Sequence, residues 1–206
     1  MTLVAGADLA AGRWAVVVLA DGRFRRAIRA ETLIQLHPQA HDFALLGVDI
    51  PIGLPVAGAD WPRPADLEAR ALLGRRRATI FLTPPRPVML CQDYAAANRK
   101  HFELTGKGLS RQTWGLRDGI FQAADLTNGG AALVEVHPEL SFRAMKGTPV
   151  LAPKTSWNGQ MERRALLAAA GIELPAELGD AGLTAPDDLL DAAAAAWSAW
   201  RVHTGR

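Results

Sequence analysis

The stretch Leu3-Val4-Ala5-Gly6-Ala7-Asp8, followed by Gly12-Arg13-Trp14-Ala15-Val16-Val17-Val18-Leu19-Ala20, Asp21-Gly22 and Arg23-Phe24, decides the fold class. An Asp-Gly pair between two strand-like runs is the strongest short hairpin signal. It predicts strand, turn, strand, hairpin and strand within the first thirty residues. A helix is expected near Glu31–His37, stopped by Pro38. The run Phe43-Ala44-Leu45-Leu46-Gly47-Val48-Asp49-Ile50 is nearly continuous in apolar character. It fits a strand buried on both faces and ended by Pro51 and Gly53.

Outward from this core the texture changes. Ile52 to Gly130 is rich in proline, arginine and tryptophan, with helical pieces expected around Asp66–Leu73 and Gln92–His101. Ala131-Ala132-Leu133-Val134-Glu135-Val136 reads as a further strand, broken by Pro138. A helix over Met161–Ala170 should stop at Gly171. The last helix should start near Thr184 and run through Ala192–Ala196 to Trp200, with Thr184-x-x-Asp187 as a capping box and Pro186 in the first turn. Strands and a hairpin, a strand, a large insertion, a strand and closing helices make an α/β mixed sheet with an antiparallel hairpin edge. The reading is one domain over residues 1–206, with residues 56–130 inserted after the fourth strand.

Composition narrows the function classes. The chain has 206 residues, 49% hydrophobic and 21% charged, with a formal net charge of +2. That is enough apolar material for a sizeable core and excludes a disordered chain. One cysteine, Cys91, excludes a disulfide framework and a thiolate zinc cluster. No apolar run reaches the roughly 18 residues of a membrane span, and Met1-Thr2-Leu3-Val4 lacks the basic start of a secretory leader. A cytoplasmic protein with no membrane partner is expected. Charge is unevenly spread. Trp61–Ile120 carries eleven Lys/Arg against five Asp/Glu, which leaves the remainder of the chain at −4. A basic segment in a mildly acidic body suits an anionic partner.

Four acids stand out by position. Asp8 ends the first strand, and Asp49 ends the buried fourth strand. Asp188 and Asp191 are three apart on the final helix and so face the same way. A carboxylate on a central strand is costly to bury unless it is paired or binds a cation. Gathered at one sheet edge, such groups suit Mg²⁺ or Mn²⁺, the ions that serve phosphodiester cleavage in two-ion centres. Glu135 and His137 alternate on the fifth strand and share one face. If that face is the site, Glu135 is a ligand and His137 a proton-transfer group. Glu139 is read as starting the next helix. Taken singly, Asp8 and Asp49 also suit turns, and Asp188 suits a helix N-terminus.

Other signals fail on spacing. His37 and His41 straddle Pro38 and lack the zincin glutamate, and Gly106-Lys107-Gly108 is not a P-loop. Ser110 has no nucleophile-elbow setting.

Asp8 with Gly12-x-Trp14, Asp49-Ile-Pro-Ile-Gly-Leu-Pro55, Thr105-Gly-Lys-Gly-Leu-Ser110 with Gln112 and Trp114, Glu135-Val-His-Pro-Glu139, and Asp187-Asp-Leu-Leu-Asp-Ala192 occur in this order over nearly the whole chain. Together they resemble the domain of unknown function 429 family of predicted ribonuclease H-like nucleases. The resemblance implies a ribonuclease H-like fold with Asp8 on the first strand and Asp49 on the fourth. Asp188-x-x-Asp191-Ala192 is also similar to the last-helix motif of the Holliday-junction resolvase branch. That branch usually has Glu on the fourth strand, where this chain has the shorter Asp49.

The expectation is therefore a Mg²⁺- or Mn²⁺-dependent nuclease. Asp8, Asp49, Asp188 and Asp191 would hold the metal, with Glu135 added to the catalytic set. The basic insertion would form a lid. Within it, Arg70, Arg75, Arg76, Arg77, Arg86, Lys107 and Arg111 would bind phosphates, Ser110 and Gln112 would add hydrogen bonds, and Trp114 would stack a base. His137 lies beside them, and Lys154 is a further phosphate contact. A nucleic acid or nucleotide is the expected partner, and a junction substrate would require a homodimer. Two other readings stand beside this one. They are a non-catalytic nucleic-acid-binding module on the same scaffold and a small-molecule phosphohydrolase.

Overall fold

The computed structural model describes residues 1–36 and 42–206. Its centre is a five-stranded sheet of β1 (Leu3–Ala10), β2 (Arg13–Ala20), β3 (Arg23–Ala30), β4 (Leu45–Val48) and β5 (Leu133–Glu135), in the order β3-β2-β1-β4-β5. β1, β2 and β3 run antiparallel, and β4 and β5 run parallel to β1. The Asp21-Gly22 hairpin forms as expected, with both residues at positive φ. This is the mixed sheet with an antiparallel hairpin edge expected of a ribonuclease H-like chain. The expected fourth strand is shorter, Leu45–Val48, because the chain bends at Asp49 and Ile50 before Pro51. Of the helix expected over Glu31–His37, Leu33–Leu36 form a 3₁₀ turn. Pro38, His37 and His41 lie outside the described residues.

Eight α-helices follow among the described residues: α1 (Pro64–Leu73), α2 (Arg86–Met89), α3 (Tyr94–Thr105), α4 (Arg111–Gly115), α5 (Arg117–Asn128), α6 (Pro138–Lys146), α7 (Trp157–Ala169) and α8 (Pro186–His203). α8 begins after an extended Ala185, with Pro186 in its first turn and no side-chain cap. The expected Thr184/Asp187 capping box does not form, and the Thr184 hydroxyl is buried without a partner. Proline's fixed φ starts this helix without it.

Strand alternation gives the sheet two buried faces. Ala5, Ala7, Val16, Val18, Leu46 and Val48 pack on one face with Ile120, Ala123 and Leu126 of α5. The segment expected as an insertion thus ends in a helix that serves the main core. On the other face Val4, Val17 and Leu19 meet α8 through Ala192, Ala193, Ala196 and Ala199.

The approach of α8 is unusually close. A Cβ on Gly6 would lie 2.0 Å from the Ala196 nitrogen and 2.2 Å from the Ala192 carbonyl oxygen. One on Gly47 would lie 2.5 Å from the Ala195 carbonyl oxygen. Glycine on the strands and alanine on the helix therefore let backbone meet backbone. A methyl group at Gly6 has only main chain to displace, so Gly6→Ala should cost about 3 kcal/mol or more. Urea denaturation would measure this, and a loss under about 1 kcal/mol would show that α8 can lift without penalty.

Candidate metal centre

The parallel register of β1 and β4 brings the first two carboxylates together. Ala7 pairs with Val48, and the Asp49 amide donates to the Ala7 carbonyl at 2.9 Å. Asp8 follows Gly6 by two residues and Asp49 follows Gly47 by two, so both carboxylates lie on the α8 side of the sheet. Asp191 is the residue just before the alanine run that rests on those glycines. One ligand oxygen each from Asp8, Asp49 and Asp191 lies within 4.8 Å of the others, so the shorter Asp49 still reaches the group. Asp188, one turn earlier on α8, lines the same cavity of about 430 Å³.

Burial and crowding act on these acids together. Burial first, then Asp49 and Asp191, push the Asp8 carboxyl well above the usual carboxylate range. Burial and Asp191 do the same to Asp49. Burial raises Asp191 to about 6 against the pull of Lys154, and burial with Asp187 raises Asp188. The Lys154 ammonium donates to Asp191 Oδ2 at 2.5 Å. Burial works against its charge, yet Asp191, with Asp8 and Asp187 behind it, holds its pKa above the ordinary lysine range. Asp191 Oδ1 is buried and has no hydrogen-bond partner among the described residues.

Glu135 shares a small hollow with Asp49 and raises the Asp49 carboxyl further, but it stands outside the group of three. It pairs in register with Val48, not with Asp49, so it shares the opposite face of the sheet. There Arg63 takes both its oxygens, at 2.6 and 2.9 Å, and the Ile52 amide donates to Oε2. Arg63 also binds Asp66 at 2.6 Å, which in turn accepts from the Thr83 amide. This network fastens α1 to the end of β5.

The expected substrate contacts divide. Arg76, Gln112 and His137 line the cavity, with Thr79 and Phe81 beside them. His137 is mostly buried, which lowers its pKa, and its Nδ1 has no hydrogen-bond partner. Arg75 lies over another hollow beside Lys146 and Glu162. The Ser110 hydroxyl caps α4 by accepting from the Thr113 amide, and Arg111 stacks over the Tyr94 ring at 4.4 Å. Trp114 packs between two apolar clusters. Arg70 donates to the Ile80 carbonyl, and Arg86 lines a separate groove with Phe121. Arg77 and Lys107 are exposed and do not line the cavity.

Two groups escape sequence reading. Glu139 is buried, lines the cavity, and accepts from the fully buried Arg163 at 2.6 Å and from Arg76 at 3.4 Å. Its place directly after Pro138 in the Glu135–Glu139 motif was the available signal. Nothing in the sequence around Arg163 marks it as buried.

The family described as "Protein of unknown function (DUF429)" matches residues 6–206. None of the curated proteins compared matches the chain. A solved structure of Thermus thermophilus RuvC is similar over 99% of this chain and 97% of its own, at 14% identity and a TM-score of 0.46.

The raised carboxyls have a measurable consequence. Folded Asp49 holds its proton more tightly than the unfolded chain does, so its contribution is present at low pH and lost as pH rises through the folded pKa. Without divalent cations, Asp49→Asn should be more stable than the native chain at pH 8, where the native carboxyl must give up its proton inside the protein. The gap should close as pH falls toward about 4. Melting curves at several pH values check this, and a pH-independent gap would contradict it.

Proposed function

This chain belongs to the DUF429 family, and we propose that it is a divalent-cation-dependent hydrolase of phosphodiesters with nucleic acid as substrate. The observation that carries the reading is the convergence of Asp8, Asp49 and Asp191 within 4.8 Å, with Asp191 Oδ1 buried and unpartnered. Hard carboxylate oxygens are the donor type that Mg²⁺ and Mn²⁺ take. Lys154 balances only part of this buried negative charge, and a cation would relieve the rest. Asp8, Asp49 and Asp191 would hold the ion, with Asp188 at the open side. When bound, such an ion supplies Lewis acidity at a phosphoryl oxygen.

The surrounding side chains supply the rest. Arg76 faces the same cavity and orients a phosphate, while the Gln112 amide adds a neutral hydrogen bond. His137 lines the cavity with its Nδ1 unpartnered and is the residue placed to move a proton there. Arg76, Ala78 and Thr79 of the 3₁₀ segment Gly74–Thr79, with Phe81, line the same cavity as the carboxylates. In this reading the basic insertion is a lid, although few of its cations reach the cavity.

That last fact favours a second reading. A cavity of about 430 Å³ in which Arg76 is the lining cation from the insertion suits a nucleotide-sized phosphate ester as well as a strand. A single panel separates them: single-stranded and duplex DNA and RNA, a four-way junction, and mononucleotide esters, each with Mn²⁺. The proposal predicts strand cleavage that falls roughly 10³-fold or more in Asp8→Asn. Turnover confined to mononucleotides would select the second reading. Strand binding that Asp8→Asn leaves intact, without turnover of any substrate, would select a non-catalytic binding module.

A further inference from the structure

The two oxygens of Asp191 are used differently. Oδ1 is buried with no partner, while Oδ2 takes the Lys154 ammonium at 2.5 Å. A two-ion centre would need two positions of positive charge beside its carboxylates. Here one of the two places at Asp191 already holds a positive charge. The same ammonium stands 3.8 Å from Asp187 Oδ2 and 3.9 Å from Asp188 Oδ1, inside the acidic first turns of α8.

Lys154 is also held there by its own segment. The Arg163 guanidinium donates to the Ala152 carbonyl at 3.1 Å, and the Ser156 amide and hydroxyl both donate to the Pro153 carbonyl. That carbonyl approaches α7 so closely that a Cβ on Gly159 would lie 1.9 Å from it. Arg163 in turn is fixed by Glu139 of α6. The main chain on the N-terminal side of Lys154 is thus clamped to two helices, and its side chain faces the cavity.

We propose that Lys154 fills the place of a second metal ion, so that the centre takes a single divalent cation and uses the ammonium as its other positive charge. The proposal rests on the reading of Asp8, Asp49 and Asp191 as a cation site. Repulsion from a fixed ammonium beside Asp188 and Asp191 opposes a second dication there. The ammonium also faces the space where an anionic substrate oxygen would sit.

Calorimetric titration with Mn²⁺ alone, on the full chain at one pH, tests this without any substrate. The native chain should bind one Mn²⁺, Lys154→Arg one, and Lys154→Met two. Lys154→Gln, also expected to bind two, replaces the methionine variant if circular dichroism shows that the latter is unfolded. Two Mn²⁺ on the native chain would overturn the proposal and leave the metal reading intact. One Mn²⁺ on the native chain and on the uncharged variants alike would overturn it in the same way. No binding by any of them would overturn the metal reading itself, and this proposal with it.

Discussion

The backbone of Ala192–Ala196 rests directly on the backbone of β1 and β4 at Gly6 and Gly47, and the geometry of the carboxylates follows from that contact. A larger side chain on either surface would lift α8 and carry Asp191 away from the strand ends. Because the helix lies so low, the acids are gathered at one cavity, with Asp8 and Asp191 buried in its wall. An ion taken from water without a partner costs several kcal/mol, roughly, even after relaxation. The fold therefore accepts a local destabilisation at this edge, visible in the upward displacement of Asp8, Asp49, Asp188 and Asp191. Lys154 offsets part of it, and a divalent cation would offset the remainder. Such concentrated strain among ionisable groups is the usual mark of a functional site.

Around this centre most of the basic residues hold structure together. Arg63 joins Glu135 to Asp66 and so ties α1 to β5. Arg163, fully buried, joins α6, α7 and the segment carrying Lys154. Arg117 donates to the Met89 carbonyl, and Arg111 covers Tyr94. Of the charges expected to cradle a phosphate backbone, Arg76 and Lys154 reach the cavity, and both already touch acids. Substrate selection by shape inside the cavity fits this arrangement better than a long basic track.

Much of this was legible in the residues. The Asp-Gly hairpin, the glycine in each central strand, the acids that end those strands and the alanine run behind Asp191 are local patterns with local causes. They suffice for the mixed sheet and for three of the carboxylates. Glu135 shows where such reading stops. Alternation puts it on one face of β5, but only the pairing with Val48 and the grip of Arg63 reveal that its carboxylate stays out of the group of three. The arginines show the same limit, since a guanidinium's partner is chosen by tertiary distance and not by its neighbours in the chain. Glu139 was hidden by its own plausibility as a helix-starting residue. The start of α8 was displaced because proline's φ, not a side-chain cap, sets it.

In the proposed reading, the contact of α8 with the sheet builds a cation site from Asp8, Asp49 and Asp191. Anomalous diffraction from crystals soaked in Mn²⁺ tests it most directly. The expected map has one strong peak in contact with oxygens of all three residues, and none beside Glu135. A map without a peak there, at Mn²⁺ concentrations that saturate weak surface sites, would contradict it.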